Sequence, residues 1–197
     1  MIRLGWDIDD VVLDTSTEII KEVEKRANIE IDINKIIVHS IEKCYPVDKK
    51  LVEECVISVL ERSYIPPVTM ASEFINCLLD NCISFLTRRP ANLFEITLDQ
   101  LYNIGIRKDF DLYLVENNNN EIPAKAEVIN NKDIKVFVED RSDTILDILA
   151  NTNCNIITMD KPWNRDIQSG DRVLRVKDWL ELFPLVMKFT LTGEFKR

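Results

Sequence analysis

The sequence predicts an α/β fold: a Rossmann-like, three-layer core in which a mainly parallel sheet lies between helices, with a small helical cap inserted after the first strand. Short apolar segments alternate with segments of amphipathic helix spacing from about residue 69 onward, which is typical of parallel sheets with helical crossovers. The first apolar segment starts at Ile2 and runs into a group of aspartates. A helical pattern follows and extends to the proline pair at 66–67.

The composition is that of an ordinary globular protein and argues against several classes of function. The chain has 197 residues, 46% of them hydrophobic and 30% charged, which suits one core domain with a smaller insertion. Its net charge of −9 disfavours binding to duplex nucleic acid. No apolar stretch has the length of a membrane span, and the N-terminal segment lacks a signal-peptide pattern, so we expect a cytoplasmic protein.

The cysteines do not indicate a disulfide framework or a zinc site. They form an odd set without a Cys-x-x-Cys pair: Cys44, Cys55, Cys77, Cys82 and Cys154. Most of them lie in apolar helical or strand patterns. We therefore expect reduced, mainly buried thiols.

The segment that follows the first strand is the basis of the predicted domain organisation. Amphipathic helix spacing is visible around Ile19, Ile20 and Val23 and again over 51–60. We predict a helical cap at 14–67, inserted into a core domain made of 1–13 and 68–197. Because the insertion leaves from the C-terminal end of the first strand, it is expected to act as a lid over that end of the sheet.

The remaining elements alternate as a parallel sheet requires. Helices are predicted at about 69–80, 94–104, 124–130, 144–150 and 178–183, and strands at 83–86, 111–115, 135–138, 155–159 and 172–176. The asparagine-rich segment at 116–121 is predicted to be a solvated loop. Right-handed crossovers bring the C-terminal ends of the strands to one edge, where open α/β sheets bind ligands.

Side chains suited to chemistry follow several of these strands. Asp7 and Asp9 lie two residues apart on the same side of the chain, so their mutual repulsion calls for a bound cation or a shared proton. The other candidates follow later strands or open the helix before the fourth: Thr87, Arg88, Lys125, Glu139, Asp140 and Asp143. Carboxylates for a hard cation, a hydroxyl and a lysine form the set that phosphoryl transfer requires.

The order of these groups resembles the four motifs of the haloacid dehalogenase-like (HAD) superfamily of hydrolases. Within that superfamily, the chain resembles the cytosolic 5'(3')-deoxyribonucleotidase family. The matching stretches are Asp-Ile-Asp-Asp-Val-Val at 7–12, Phe-Leu-Thr-Arg-Arg-Pro at 85–90, Phe-Val-Glu-Asp-Arg-Ser-Asp-Thr at 137–144, Asp-Lys-Pro-Trp-Asn-Arg at 160–165 and Val-Leu-Arg-Val-Lys-Asp-Trp at 173–179. The likeness covers nearly the whole core, whereas the insertion matches only in position and approximate size.

The resemblance implies a Mg²⁺-dependent phosphomonoesterase that acts on (deoxy)nucleoside monophosphates. Asp7 would attack phosphorus and form an aspartyl-phosphate, and Asp9 would protonate the leaving oxygen and later activate water. Mg²⁺ would bind to Asp7, the backbone carbonyl of Asp9, and Asp140. Glu139 would hold a metal-bound water as the supporting member of the acidic pair.

The resemblance also implies a phosphate-binding set. Thr87, Arg88 and Lys125 would bind the phosphate oxygens, and Lys125 would lower the electrostatic cost of bringing an anion to Asp7. Lys125 is preferred to other lysines nearby because it opens the segment that precedes the acidic strand. Asp143 would support the site or cap the helix predicted to begin near residue 144.

Some residues at these motifs also have an ordinary structural explanation. Many relatives have Gly where this chain has Asp10, and a carboxylate there is expected to disturb the turn or to point outward. The lone histidine, His39, is expected to pack or to face solvent rather than to titrate usefully. Trp163 and Asn164 would shape the rim of the pocket or form a turn with a buried indole.

Three alternatives to a nucleotidase are compatible with the motifs. The first is a HAD phosphatase that acts on another small phosphorylated metabolite. The second is a catalytically silent HAD scaffold, which the intact set of motif residues disfavours. The third is a receiver-like domain, which would lack a long helical insertion after its first strand and would not turn over. The sequence leaves the oligomeric state open, a homodimer included.

Overall fold

The structure, a computed structural model, describes residues 2–78, 82–107, 109–115 and 124–196. Within these ranges, six strands form one sheet in the order β3-β2-β1-β4-β5-β6. The strands are β1 (Arg3–Trp6), β2 (Cys82–Thr87), β3 (Phe110–Leu114), β4 (Val136–Glu139), β5 (Asn155–Met159) and β6 (Val173–Val176). Each neighbouring pair is parallel. The predicted α/β class with a parallel sheet is therefore confirmed.

Helices cover both faces of the sheet. They are α1 (Thr15–Ala27), α2 (Ile41–Cys44), α3 (Lys49–Leu60), α4 (Ala71–Cys77), α5 (Phe94–Asn103), α6 (Ala124–Lys132), α7 (Ser142–Asn151) and α8 (Trp179–Thr192). One hydrophobic cluster joins the sheet to residues of α4, α5 and α8. A second cluster joins the opposite face to α6 and α7. These clusters make the three layers predicted from the alternating pattern.

The central strand β1 approaches its neighbour closely because it contains a glycine. A Cβ atom added at Gly5 would lie 2.5 Å from Cδ2 of Phe137 on β4. The Phe137 ring in turn lies beneath Lys125, with 5.4 Å between Nζ and the ring centroid. Gly5 therefore makes room for the aromatic ring that supports the start of α6.

The segment between β1 and β2 has a small core of its own. Helices α1, α2 and α3 and a short 3-10 turn at Ile33–Lys35 enclose a separate hydrophobic cluster. That cluster comprises Ile20, Val23, Ile31, Ile36, Ile41, Val52, Cys55 and Trp163. Trp163 is its one buried member from beyond β5, so the indole joins the segment to the rest of the chain.

The two chain segments that lead into and out of this helical block pair with each other. Leu13 and Pro67 form an isolated antiparallel bridge. The N–H of Asp14 donates to the carbonyl of Pro66 at 2.8 Å, and the N–H of Val68 donates to the carbonyl of Val12 at 2.8 Å. The segments that enter and leave the helical block are thus held side by side.

The last helix differs from its prediction. The pattern predicts a helix at 178–183, whereas α8 continues through Pro184 to Thr192. Proline lacks an N–H, so the carbonyl one turn earlier, that of Leu180, loses its helical donor. Leu180 is exposed, so water can satisfy that carbonyl at little cost. The apolar residues Val186 and Phe189 then bury the rest of the helix against the core.

Two predicted segments fall partly or wholly outside the described residues. The loop at 116–121 lies outside them entirely, and so do the last two residues of the helix predicted at 69–80. In the part of the chain that is described, none of the helices combines the length and the apolar character of a membrane span.

Candidate active site

A buried lysine joins the ends of two neighbouring strands. Asp7 follows β1 directly, and its N–H donates to the carbonyl of Val138 on β4 at 2.9 Å. The Lys125 ammonium, at the start of α6, donates to Oδ1 of Asp7 at 2.7 Å and to Oε2 of Glu139 at 2.8 Å. These three side chains are 6% exposed or less. One cation is thus shared by two buried carboxylates, which is the arrangement that makes such burial tolerable.

The acidic pair at the end of β4 is held by backbone and side-chain donors. The second oxygen of Glu139 accepts the N–H groups of Asp140 and Arg141, at 3.1 Å each. Oδ2 of Asp140 accepts the indole N–H of Trp163 at 2.8 Å. The amide of Asn164 donates to the carbonyls of Asp140 and Met159, at 2.6 and 2.7 Å. The residues at 163–164 therefore orient the loop that carries Asp140.

Burial changes the protonation of this group. Desolvation, followed by the charge of Glu139, raises the pKa of Asp7 to about 7. Desolvation and the neighbouring Asp10 raise the pKa of Asp140 well above its ordinary value. Desolvation opposes the charged form of Lys125, but the two carboxylates it contacts outweigh that effect and raise the lysine pKa. Burial and mutual repulsion therefore favour protons on Asp7 and Asp140, and a bound metal cation would take the place of those protons.

Asp9 lies in a different environment from Asp7. The Arg89 guanidinium makes two hydrogen bonds with it, Nη2 to Oδ1 at 2.7 Å and Nε to Oδ2 at 3.1 Å. The hydroxyl of Thr15 donates to Oδ1 at 2.6 Å, and that of Thr87 lies 3.4 Å from Oδ2. Burial raises the pKa of Asp9, but Arg89 and Thr15 together outweigh it and hold the pKa below its ordinary value. Asp9 is thus kept as a charged, firmly oriented carboxylate.

Asp10 occupies the backbone position for which the resemblance leads one to expect Gly. Its φ is 62°, in the left-handed region that Asp tolerates better than most residues do. The side chain is 2% exposed and does not point outward. One oxygen accepts the N–H of Ser16 at 2.9 Å, and the other accepts the Ser16 hydroxyl. Asp10 therefore satisfies an otherwise unpaired donor in the first turn of α1.

The structure brings most of the predicted site residues together, but Arg88 and Asp143 lie elsewhere. Arg88 forms ion pairs with Asp143 at 3.3 Å and with Asp147 at 3.7 Å on α7. Asp143 also pairs with Arg141 at 2.8 Å. Since α7 begins at Ser142, Asp143 belongs to its first turn and is not its cap. The arginine that contacts Asp9 is Arg89, the next residue along the chain.

Among the residues that the structure describes, two groups of side chains have the geometry to hold a cation. The potential ligand atoms of Asp7, Glu139 and Asp140 lie within 4.8 Å of one another, and all three residues are buried. A second group, within the same limit, comprises Asp10, His39 and Asp140. Oxygen-only donors suit Mg²⁺ better than histidine does. The first group, with the carbonyl at Asp9 nearby in sequence, therefore fits the predicted metal.

A cavity of about 460 Å³ lies beside these acids. Its lining is mainly aliphatic and includes residues of α1 and α3. The lining residues are Ser16, Ile19, Ile20, Ile36, His39, Ser40, Ile41, Glu42, Lys49, Val52, Glu53, Val56, Ile57 and Trp163. The indole of Trp163 meets the ring of His39 edge-on, with 5.5 Å between centroids. Because Trp163 also donates to Asp140, its side chain connects the wall of the cavity to the acidic group.

Sequence reasoning missed Arg89 and Thr15, and it left Asn164 undecided. The pair Arg88-Arg89 offered two candidates, and the sequence pattern does not show which of them turns inward. A signal for Thr15 was available, because it opens the helix that leaves the aspartate loop. The amide of Asn164 bonds to three acceptors inside the fold, a role that sequence spacing does not reveal.

Comparison with known proteins relates the chain to one curated relative. A protein of Oceanobacillus iheyensis, provisionally named a nucleotidase, is 25% identical over 193 residues, which cover 92% of this chain and 98% of that protein. No protein-family model matches the chain.

Solved structures with the same fold are more numerous. A HAD-like hydrolase of Xanthomonas campestris matches with a TM-score of 0.57 and 13% identity, over 98% of this chain and 97% of that one. A Haemophilus somnus protein, predicted to be a phosphoglycolate phosphatase, matches with a TM-score of 0.61 and 13% identity, over 95% of this chain and 97% of that one. A magnesium-bound Bacillus subtilis protein, provisionally described as a HAD hydrolase, matches with a TM-score of 0.60 and 15% identity, over 94% of this chain and 98% of that one. The chain thus has the HAD fold, and the predicted resemblance is confirmed at that level.

Proposed function

We propose that this chain is a HAD-superfamily phosphomonoesterase that works through an aspartyl-phosphate on Asp7. The observation that carries the proposal is the buried contact between Lys125 and Asp7 at 2.7 Å, at the strand end that also bears Asp9 and Asp140. A lysine in this place attracts a phosphate dianion and offsets charge as it develops. The fold shared with HAD hydrolases agrees with this proposal.

The positions of the side chains suggest a division of roles. Oδ of Asp7 attacks phosphorus, and the bond from phosphorus to the ester oxygen breaks. Asp9, two residues on, is charged in the free chain, so it must first gain a proton from solvent or from the phosphate monoanion. It then gives that proton to the ester oxygen and takes one from water in the second step, which readies it for the next turnover. Thr87, 1% exposed at the end of β2, and Lys125 are placed to bind the phosphate oxygens. Glu139 holds Lys125 in position.

A magnesium ion would balance the negative charge of the site carboxylates that Lys125 alone does not offset. Asp7, the backbone carbonyl of Asp9, and Asp140 would hold it, and Glu139 stands close enough to bind one of its waters. The ion would supply positive charge that lowers the repulsion between Asp7 and the incoming phosphate. The magnesium-bound relative of the same fold is consistent with this choice.

The first experiment measures phosphate release from a panel of nucleotides and sugar phosphates, with Mg²⁺ and with EDTA. We expect Mg²⁺-dependent turnover by the wild type and none by Asp7→Asn. Turnover that survives Asp7→Asn would contradict the aspartyl-phosphate mechanism. An absence of turnover on every monoester would favour a silent scaffold that binds a ligand, and phosphate retained on the protein without turnover would favour a receiver-like acceptor.

We propose nucleoside monophosphates as the substrates and residues 14–67 as the cap that selects them. The cavity beside the acids is apolar, is bordered by an indole and an imidazole, and lies mostly within this segment. Such a lining suits a planar base better than a small sugar, because most of the wall is apolar and offers few partners for hydroxyls. The name of the Oceanobacillus iheyensis relative agrees with this choice.

Steady-state kinetics separates this substrate class from other metabolites. We expect kcat/KM for nucleoside monophosphates to exceed that for hexose phosphates, which carry the same charge, and that for phosphoglycolate, whose carboxylate adds one negative charge. The reverse order would assign the protein to another small phosphorylated metabolite and leave the phosphatase mechanism intact.

A further inference from the structure

We propose that Arg89 and Gln100 are positioning residues for Asp9. They link the orientation of its carboxylate to the return segment, residues 60–67, through which the chain passes from α3 back to the core. This inference rests on the proposed function, since it concerns the group that transfers the proton. It assigns a role to two buried side chains that the motif pattern leaves without one.

The first link is the ion pair between Arg89 and Asp9. The Arg89 side chain is 1% exposed, and its two nitrogens contact both oxygens of the carboxylate. A two-point contact of this kind fixes the plane of the carboxylate as well as its position. A single ammonium or hydroxyl would leave the carboxylate free to rotate. The position of Arg89 therefore determines where Asp9 can place a proton.

The second link holds the guanidinium itself. Its remaining terminal nitrogen, Nη1, donates to the hydroxyl of Thr97 at 3.2 Å and to Oε1 of Gln100 at 2.5 Å. Thr97 and Gln100 both lie on α5 and are fully buried. Arg89 thus cannot turn away from Asp9 without leaving buried polar groups unpaired.

The third link connects α5 to the cap. The amide nitrogen of Gln100 donates to the carbonyls of Leu60 at 3.1 Å and Arg62 at 2.5 Å. Leu60 is the last residue of α3, so these carbonyls belong to the start of the return segment. The side chain of Arg62 reaches back to Glu18 and Glu22 on α1, at 3.0 and 2.8 Å. A displacement of the return segment must therefore break the Gln100 bonds or move Arg89.

The chain supplies a matched control for the third link. Asn103 also lies on α5 and also donates to the return segment, to the carbonyl of Ser63 at 2.9 Å. The structure shows no bond from Asn103 to Arg89 among the described contacts of either residue. Gln100→Met removes two hydrogen bonds to this segment, and Asn103→Leu removes one. Only the first breaks the connection to Asp9.

The test compares two monoesters in single-turnover experiments. The phenolate released from p-nitrophenyl phosphate leaves without a proton donor, whereas the alkoxide of an alkyl monoester such as a nucleoside 5'-monophosphate needs one. For Gln100→Met and Arg89→Lys we expect release of the alkyl leaving group to slow by about 10- to 100-fold, within the range for general acid catalysis. Release of p-nitrophenol should change by less than about 3-fold, because positioning affects only the step that needs the proton.

Several outcomes distinguish this inference from a structural role and from failure of the proposed function. Equal losses on both esters, or a loss in Asn103→Leu equal to that in Gln100→Met, would overturn the positioning role. Unchanged rates in all variants would do the same. A wild type without turnover would instead remove the proposed function. If Arg89→Lys fails to fold, as judged by thermal melting, the comparison of Gln100→Met with Asn103→Leu decides the question alone.

Discussion

The edge of the sheet and the cavity of the cap lie side by side but are built on opposite principles. At the edge, charged groups are buried and tied to one another: Lys125 to Asp7 and Glu139, and Arg89 to Asp9. In the cavity, aliphatic side chains dominate, and the charged members of the lining, such as Lys49 and Glu53, belong to exposed turns of α3. The first region depends on exact pairing of charges and the second on shape.

This difference assigns different consequences to substitutions in the two regions. Buried charges interact strongly because little water screens them, so the loss of one partner leaves another uncompensated. An apolar wall loses or gains only contact area, which changes affinity modestly. Changes at the edge should therefore affect stability and kcat, whereas changes in the cavity should affect KM.

The largest effect is expected from Lys125→Met. Removing the ammonium leaves Asp7 and Glu139 buried without their shared cation, so the free energy of unfolding should fall by about 3–5 kcal/mol. Urea denaturation without metal measures this quantity. Lys132→Met is the control, since that lysine lies over the ring of Tyr113, where a change below about 1 kcal/mol is expected. Equal losses of unfolding free energy in the two variants would mean that Asp7 and Glu139 do not depend on Lys125 to offset their charge.

A smaller loss of unfolding free energy is expected from Gly5→Ala, which leaves every charged group in place. In Gly5→Ala the new Cβ would overlap the Phe137 ring that supports Lys125, and we expect a loss of about 1–3 kcal/mol. Gly170→Ala serves as control, because no atom lies within 4 Å of its added Cβ, and a change within about 0.5 kcal/mol is expected there. Thermal melting of the two variants makes the comparison. A tolerated Gly5→Ala would show that the packing beneath Lys125 can relax.

Much of the sheet could be predicted from sequence because strands and acids carry local signals. The apolar run before residue 139 places β4 within one residue of its observed start, and the acids that follow it mark the edge. The contact between Lys125 and Asp7 joins residues 118 positions apart, and only the motif order suggested it.

The remaining features depend on side-chain directions that spacing alone does not determine. Of two consecutive arginines, Arg89 turns inward because Thr97 and Gln100 offer buried acceptors there, and Arg88 turns to the acids of α7. The carboxylate of Asp10 is buried because the first turn of α1 has a donor to satisfy, which depends on where that helix begins.

A third prediction tests the cavity. Val56→Phe should fill part of the space beside α1 and raise KM for nucleoside monophosphates by about tenfold, with kcat nearly unchanged. KM for p-nitrophenyl phosphate should stay the same, because its smaller leaving group needs less of the cavity. Leu146→Phe, on the exposed side of α7, is the control and should change neither constant. A fall in kcat with constant KM would mean that the cavity wall contributes to chemistry rather than to selection.

The smallest predicted effect is a pH dependence that belongs to the edge alone. Burial and Glu139 raise the pKa of Asp7 from 3.8 to about 7, so the folded chain binds more protons than the unfolded chain between these values. Stability without metal should therefore fall as pH rises toward 7 and then level off, by about 1 kcal/mol between pH 6 and pH 8.

Urea denaturation at the two pH values measures this difference, and Asp7→Asn should reduce it because the amide does not titrate, whereas Asp140, whose pKa is also raised, keeps its own contribution. Mg²⁺ binds the ionised carboxylates, so it should stabilise the wild type more at pH 8 than at pH 6. Val56→Phe should keep the wild-type dependence, since the cavity has no part in it. An undiminished pH dependence in Asp7→Asn would assign the titration to another group, such as Asp140, and would contradict the raised pKa of Asp7.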